Sequence, residues 1–173
     1  MATFVRDPEP IEIEELRERR ERLGLDHHDE VWEGVLHMNP PPSTEHQSLL
    51  QQLAVLFDPL ARDAGLVPLI QVFGLGEDRH NYRSPAGGLF RTQPHGVWQT
   101  TAALVIEVVS PDDRTWQKLD YYADHAVEEL LILDPRERRV HWFALREGEY
   151  RPVERSALIE HGAAEHDQRL VWP

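Results

Sequence analysis

Eight consecutive residues, Ala102-Ala103-Leu104-Val105-Ile106-Glu107-Val108-Val109, are apolar except for Glu107. A run this long and this rich in β-branched residues predicts a buried core strand. A strand buried on both faces needs other layers to cover it, so the chain should fold as packed sheet and helix. The same run sets a chemical problem. An ionised carboxylate inside hydrocarbon is costly unless it is paired or binds a metal. Eleven positions on, after the turn Ser110-Pro111-Asp112-Asp113, Lys118 falls at the start of a predicted helix. A strand carboxylate followed by a nearby cation is an arrangement that can hold a divalent metal beside a phosphate. This stretch is therefore the expected chemical centre.

The rest of the chain supplies the covering layers. Residues 1–10 are Pro-rich and read as a loose arm. Ile11 to Leu23 alternates Glu and Arg with Ile13, Leu16, Arg20 and Leu23 at helical spacing, which predicts an exposed helix carrying i,i+4 ion pairs. Glu30 to Met38 reads as a strand or a hairpin turning near Gly34. Thr44, three residues before Gln47, suggests a capping box for a core helix bearing Leu49, Leu50, Leu53, Leu56, Phe57 and Leu60 and ending near Gly65. Leu66 to Leu75 reads as a strand, and Tyr82 to Phe90 as a short strand broken by Pro85 and Gly87-Gly88. Residues 91–101 form a polar connection.

After the run at 102–109, Ser110, Pro111 and the two aspartates resemble a capped helix start. Trp116, Leu119, Tyr122 and Ala123 supply that helix with an apolar stripe. Glu128 to Leu133 is another buried strand, Val140–Leu145 with Glu149–Val153 a closing hairpin, and 157–173 a weakly patterned tail. The expected class is α/β: a mixed sheet flanked by helices, an αβββαβ core with added N- and C-terminal strands, in one domain over 1–173.

Several functions are excluded or disfavoured by composition. The chain has no cysteine, which rules out disulfides, thiolate catalysis and zinc–thiolate sites. No apolar run approaches the ~20 residues of a membrane span, and the first residues lack the apolar core of a signal peptide, so the expected location is cytoplasmic. The net charge of −13 is opposite in sign to a broad nucleic-acid surface. It leaves room for a small basic groove, for which Arg79, Arg83, Arg91 and Arg114 are candidates. His27-His28 does not have zinc-ligand spacing. Gly74-Leu75-Gly76 lacks the rest of a dinucleotide fingerprint.

The order of elements, Glu107 in the third core strand and Lys118 on the following helix combine with Glu33-Gly34, Pro40-Pro41-Pro42-Ser43 and His46. Together they resemble the Uma-two family of restriction-endonuclease-like proteins, within the PD-(D/E)XK nuclease superfamily. The resemblance spans about residues 14–155 and is strongest in Ile106–Pro111, Trp116–Ala123 and Val127–Pro135. It implies hydrolysis of phosphodiester bonds in DNA with Mg²⁺ or Mn²⁺, and a possible homodimer. By position, Glu107 would be a metal ligand and Lys118 would replace the lysine missing at Val109. Glu33 would be the acid of the early strand and His46 the histidine opening the first core helix. One departure stands out: the family's Pro-Asp pair falls on Pro85-Ala86, so the expected metal-binding aspartate is alanine. Asp112, Asp113 and Glu33 are the acids that could replace it. Three functions are thus left open: an impaired nuclease acting on DNA or another phosphodiester substrate, a nuclease-fold module that binds nucleic acid or protein without cutting, and an enzyme on another phosphate ester or nucleotide.

Overall fold

The computed structural model describes the backbone of residues 3–6 and residues 11–110 and 114–173. Element order is β1 (Thr3–Arg6), α1 (Ile11–Arg22), β2 (Glu30–Trp32), β3 (Val35–Met38), α2 (Thr44–Asp63), β4 (Val67–Leu69), β5 (Gly74–Asp78), β6 (Asn81–Arg83), β7 (Gly87–Phe90), β8 (Trp98–Gln99) and β9 (Leu104–Val108). A 3₁₀ turn over Thr115–Lys118 then leads into α3 (Leu119–Asp124), β10 (Glu129–Asp134), β11 (Arg139–Arg146), β12 (Glu149–Pro152) and α4 (Ala163–Arg169).

The α/β expectation holds, but the strands divide between two six-stranded sheets, ordered β1-β3-β2-β6-β5-β8 and β12-β11-β10-β9-β7-β4. The predicted strand over 66–75 is the point of division. Its first part, β4, joins the second sheet beside β7, while β5 joins the first sheet beside β6. Within the stretch read as a loose arm, residues 3–6 form a strand: β1 pairs antiparallel with β3 from Thr3↔Met38 to Arg6↔Val35. Backbone pairing to an open sheet edge does not depend on a hydrophobic pattern, which is why composition gave no sign of it. The tail likewise contains a helix, α4.

β9 is the centre of the second sheet, parallel to β10 and antiparallel to β7. Its alternation divides the core. Leu104, Ile106 and Val108 pack in a cluster with Leu49, Leu53 and Phe57 of α2 and Trp142 of β11. Val105 packs in a second cluster with Leu75, Tyr121, Tyr122 and Leu130. Successive strand residues point to opposite faces, so Glu107 projects on the Val105 side, toward α3. Gly88 shows how closely β7 approaches: a Cβ there would lie 2.9 Å from the Leu104 carbonyl oxygen. The Gly87-Gly88 pair is thus part of the sheet.

Helix α2 begins one residue earlier than the capping-box reading had it. Ser43 is the N-cap, and its Oγ accepts from the His46 amide at 3.2 Å. The predicted cap over 110–113 lies largely outside the described residues. Helix α1, read as a solvated face, is anchored through Arg20. The Arg20 guanidinium contacts the buried Asp29 carboxylate at 2.7 Å, which also accepts from the Asn39 amide at 3.0 Å. Those bonds tie the helix to the loop entering Pro40-Pro41-Pro42.

Candidate active site

The structure brings Glu107 and Lys118 together as the sequence suggested and adds a third charged group, Glu30. The Lys118 ammonium lies 3.0 Å from Glu107 Oε1 and 2.8 Å from Glu30 Oε1. All three are buried, at 5%, 7% and 2% exposure for Glu107, Lys118 and Glu30. The local sequence explains the meeting. The 3₁₀ turn running into α3 places Lys118 and Tyr122 four residues apart, on one helical face. Both reach Glu107 Oε1, the ammonium and the phenol each donating a hydrogen bond. Burial, then the neighbouring Glu107 and Glu30, push the Tyr122 phenol well above its ordinary pKa, so it remains a donor.

Glu30 is held as firmly. It opens β2, and Trp32 two residues on shares its face and donates from Nε1 to Glu30 Oε2 at 2.8 Å. The Ser84 amide, just after β6, donates to Glu30 Oε1 at 2.9 Å. Burial alone would raise the Glu30 carboxyl. The Lys118 charge and these hydrogen bonds outweigh it, and the net direction is downward. Across the hairpin His37 is paired in register with Glu30 and stacks on Trp32, with ring centroids 4.5 Å apart. Burial lowers the His37 pKa to about 4 in spite of Glu30, so its imidazole is neutral at physiological pH.

The triad forms the floor of a cleft of about 610 Å³ that His37, His46, Ala86 and Arg114 also line. Glu33 is not in it. Glu33 and Gly34 have φ of 51° and 79° and form the turn of the β2–β3 hairpin, where Glu33 is exposed. The early-strand acid that reaches the site is Glu30, three residues before. Nothing in the spacing distinguished the two, because a strand-opening Glu beside Asp29 reads as solvated. The Trp32 indole on the same strand face was the available signal for a buried acceptor. Of the four candidate arginines only Arg114 lines the cleft. Arg83 is buried with its guanidinium 3.8 Å from the Tyr121 ring and 4.5 Å from Trp32, and Arg91 pairs with Glu128 on the surface at 2.7 Å.

Ala86, one residue before β7, lines the cleft together with Glu107. Its methyl belongs to the apolar cluster that includes Leu50 and Ile106. Restriction-endonuclease-like proteins generally use divalent metals, and Mg²⁺ favours an octahedral oxygen shell with some anionic ligands. The described residues do not fit such an ion. None of them form a group of three or more His, Asp or Glu side chains that could hold a metal. Position 86 offers a methyl, and the Oε1 atoms of both site carboxylates face an ammonium. Asp112 and Asp113 lie outside the described residues.

The mixed α/β fold is nuclease-like. The chain belongs to the Uma2 family, described as "Putative restriction endonuclease", whose model matches residues 13–166. Among solved structures it is similar to "a putative nuclease belonging to DUF820" from Anabaena variabilis ATCC 29413, at a TM-score of 0.65 and 14% identity, covering 83% of this chain and 91% of that one. At that identity the likeness speaks for the fold alone. No curated protein matches the chain. No helix among the described residues is long and apolar enough to cross a membrane.

Proposed function

We propose that this chain is an impaired nuclease: it holds a DNA phosphodiester in the cleft above Glu30, Glu107 and Lys118 and hydrolyses it slowly. The observation that carries this reading is Ala86 in the lining of the same cleft as Glu107, where the family resemblance leads one to expect an aspartate. The remaining machinery is consistent with phosphodiester chemistry. Lys118 offers a fixed positive charge at the cleft floor, where it would face a non-bridging phosphate oxygen or an attacking water. Neutral His37 lines the cleft and can exchange hydrogen bonds with substrate or solvent, and His46 lines it too. Glu107 and Tyr122 hold the ammonium in place.

A second reading, a nuclease-fold module that binds without cutting, draws on a different observation. Lys118 is held within 3.0 Å of two carboxylates, a structural ion triad that needs no substrate to be satisfied.

Cleavage of plasmid and linear DNA in Mg²⁺ and in Mn²⁺ separates the two, using the parent chain, Ala86→Asp and Glu107→Ala. Slow cutting by the parent, faster cutting by Ala86→Asp and none by Glu107→Ala is the expected pattern. Failure of all three to cut, with DNA binding retained, overturns the nuclease reading in favour of the module.

A further inference from the structure

Resting on the reading of the cleft as a phosphodiester site, we infer that its ligand is an unpaired nucleotide, at a strand end, gap or single-stranded segment, rather than a base-paired duplex. The cleft joins two surfaces of opposite character. One wall is apolar, built from Pro40, Pro41, Pro42, Leu50, Ile70 and Val72; the floor is the buried triad Glu30, Glu107 and Lys118. A ligand suited to both carries a flat apolar body and hydrogen-bond acceptors for Lys118 and Arg114, which line the same cleft. An unpaired nucleotide does, with its base against the prolines and leucine and its phosphodiester over Lys118. In a duplex the bases are stacked inside, and only phosphates and groove edges reach a protein.

Size and charge point the same way. A volume of about 610 Å³ falls in the range of about 300–1,000 Å³ that encloses a small ligand. The triad at its floor is almost fully buried, so a phosphate must come off a flexible strand to descend to it. Duplex binders neutralise on the order of 6–10 phosphates with Lys and Arg. The residues lining this cleft include two such cations, Lys118 and Arg114, and two carboxylates, Glu30 and Glu107. With His37 neutral, and His28 also pushed down by burial, that lining is close to electroneutral at physiological pH. It has enough charge to orient one phosphodiester and too little to track a double helix on a chain of net charge −13. Single-strand sites instead gain affinity by packing bases against side chains, as the apolar wall allows.

The test is fluorescence anisotropy with one labelled 12-nucleotide sequence, presented as a single strand, as a blunt duplex and as a duplex with an unpaired tail. Binding is measured in EDTA so that cutting does not interfere. Gln71→Trp is the blocking variant: Gln71 is exposed at the cleft edge, so the indole narrows the entrance and leaves the core alone. The expected result is binding of the single strand and the tailed duplex at least about tenfold tighter than the blunt duplex, with a similar loss in Gln71→Trp at unchanged melting temperature. Blunt duplex bound as tightly as the single strand overturns this inference and leaves the nuclease reading standing. Single-strand binding that Gln71→Trp does not weaken overturns the placement in this cleft. No binding of any of the three overturns the phosphodiester reading itself.

Discussion

Two glutamates lie buried on neighbouring parallel strands, and the chain uses them in opposite ways. Glu129 on β10 is met by neutral donors alone. Trp142 Nε1 and Ser156 Oγ donate to its Oε2 at 2.8 and 2.6 Å, and the Ala157 amide donates to its Oε1 at 2.8 Å. Those bonds fasten the segment after β12 to the sheet, away from the cleft, and Glu129 is a structural acceptor. Glu107 on β9 is met by a cation, shares that cation with Glu30, and faces a cleft. Residue type and burial are the same. What differs is the partner and the place: the donors to Glu129 are neutral and it lies outside the cleft lining, whereas Glu107 shares an ammonium with Glu30 at the cleft.

The contrast is most sharply tested at Lys118. Lys118→Met leaves Glu30 and Glu107 buried without a counter-charge, and removing one partner of a buried ionic group costs about 3–5 kcal/mol. The loss should depend on pH. In the parent the Glu30 carboxyl is held below its ordinary value, so its contribution is present at neutral pH and fades as the pH falls through the folded-state value. Without Lys118 burial dominates and the same carboxyl moves up, so the variant's deficit is largest at neutral pH and shrinks on acidification. Urea denaturation at a series of pH values reads this directly. A deficit that stays constant with pH would mean that Lys118 acts by packing.

Glu129→Ala should come next, at about 2–3 kcal/mol, because it strands buried donors on Trp142 and Ser156. Its effect on DNA binding should be nil once the protein is folded. A loss of binding at unchanged fold would dissolve the distinction between the two carboxylates.

The smallest effect is expected at the hairpin turn. Glu33→Gln should shift stability by no more than about 0.5 kcal/mol, as for other exposed sites, and leave DNA binding unchanged. Glu30→Gln should weaken DNA binding, since it perturbs the Lys118 ammonium. Equal binding defects in the pair would return Glu33 to the site.

Much of this arrangement was legible in the sequence, for identifiable reasons. Glu107 stood out because it broke an apolar run, and Lys118 because it falls in the first part of the helix expected after that run. Ala86 stood out against the Pro-Asp pair that the family resemblance led one to expect. Glu30 did not, because a short edge-like strand carries too little periodicity to show which acid turns inward. His37 was hidden similarly. Its neutral state comes from burial against Trp32, and the sequence left a hairpin turning near Gly34 as one of two readings, without the register that pairs His37 with Glu30. The division into two sheets was equally hidden, since the stretch at 66–75 reads as one strand and only tertiary pairing decides which sheet each half joins.

The central claim is that one side chain, at position 86, separates this site from a competent metal-dependent nuclease. Calorimetric titration of Mn²⁺ into the parent and Ala86→Asp, with Ala86→Asp/Glu107→Ala as control, tests it most directly. The account predicts weak binding by the parent, one site at least about tenfold tighter in Ala86→Asp, and loss of that gain in the double variant. Equal Mn²⁺ affinity in the parent and Ala86→Asp would contradict it.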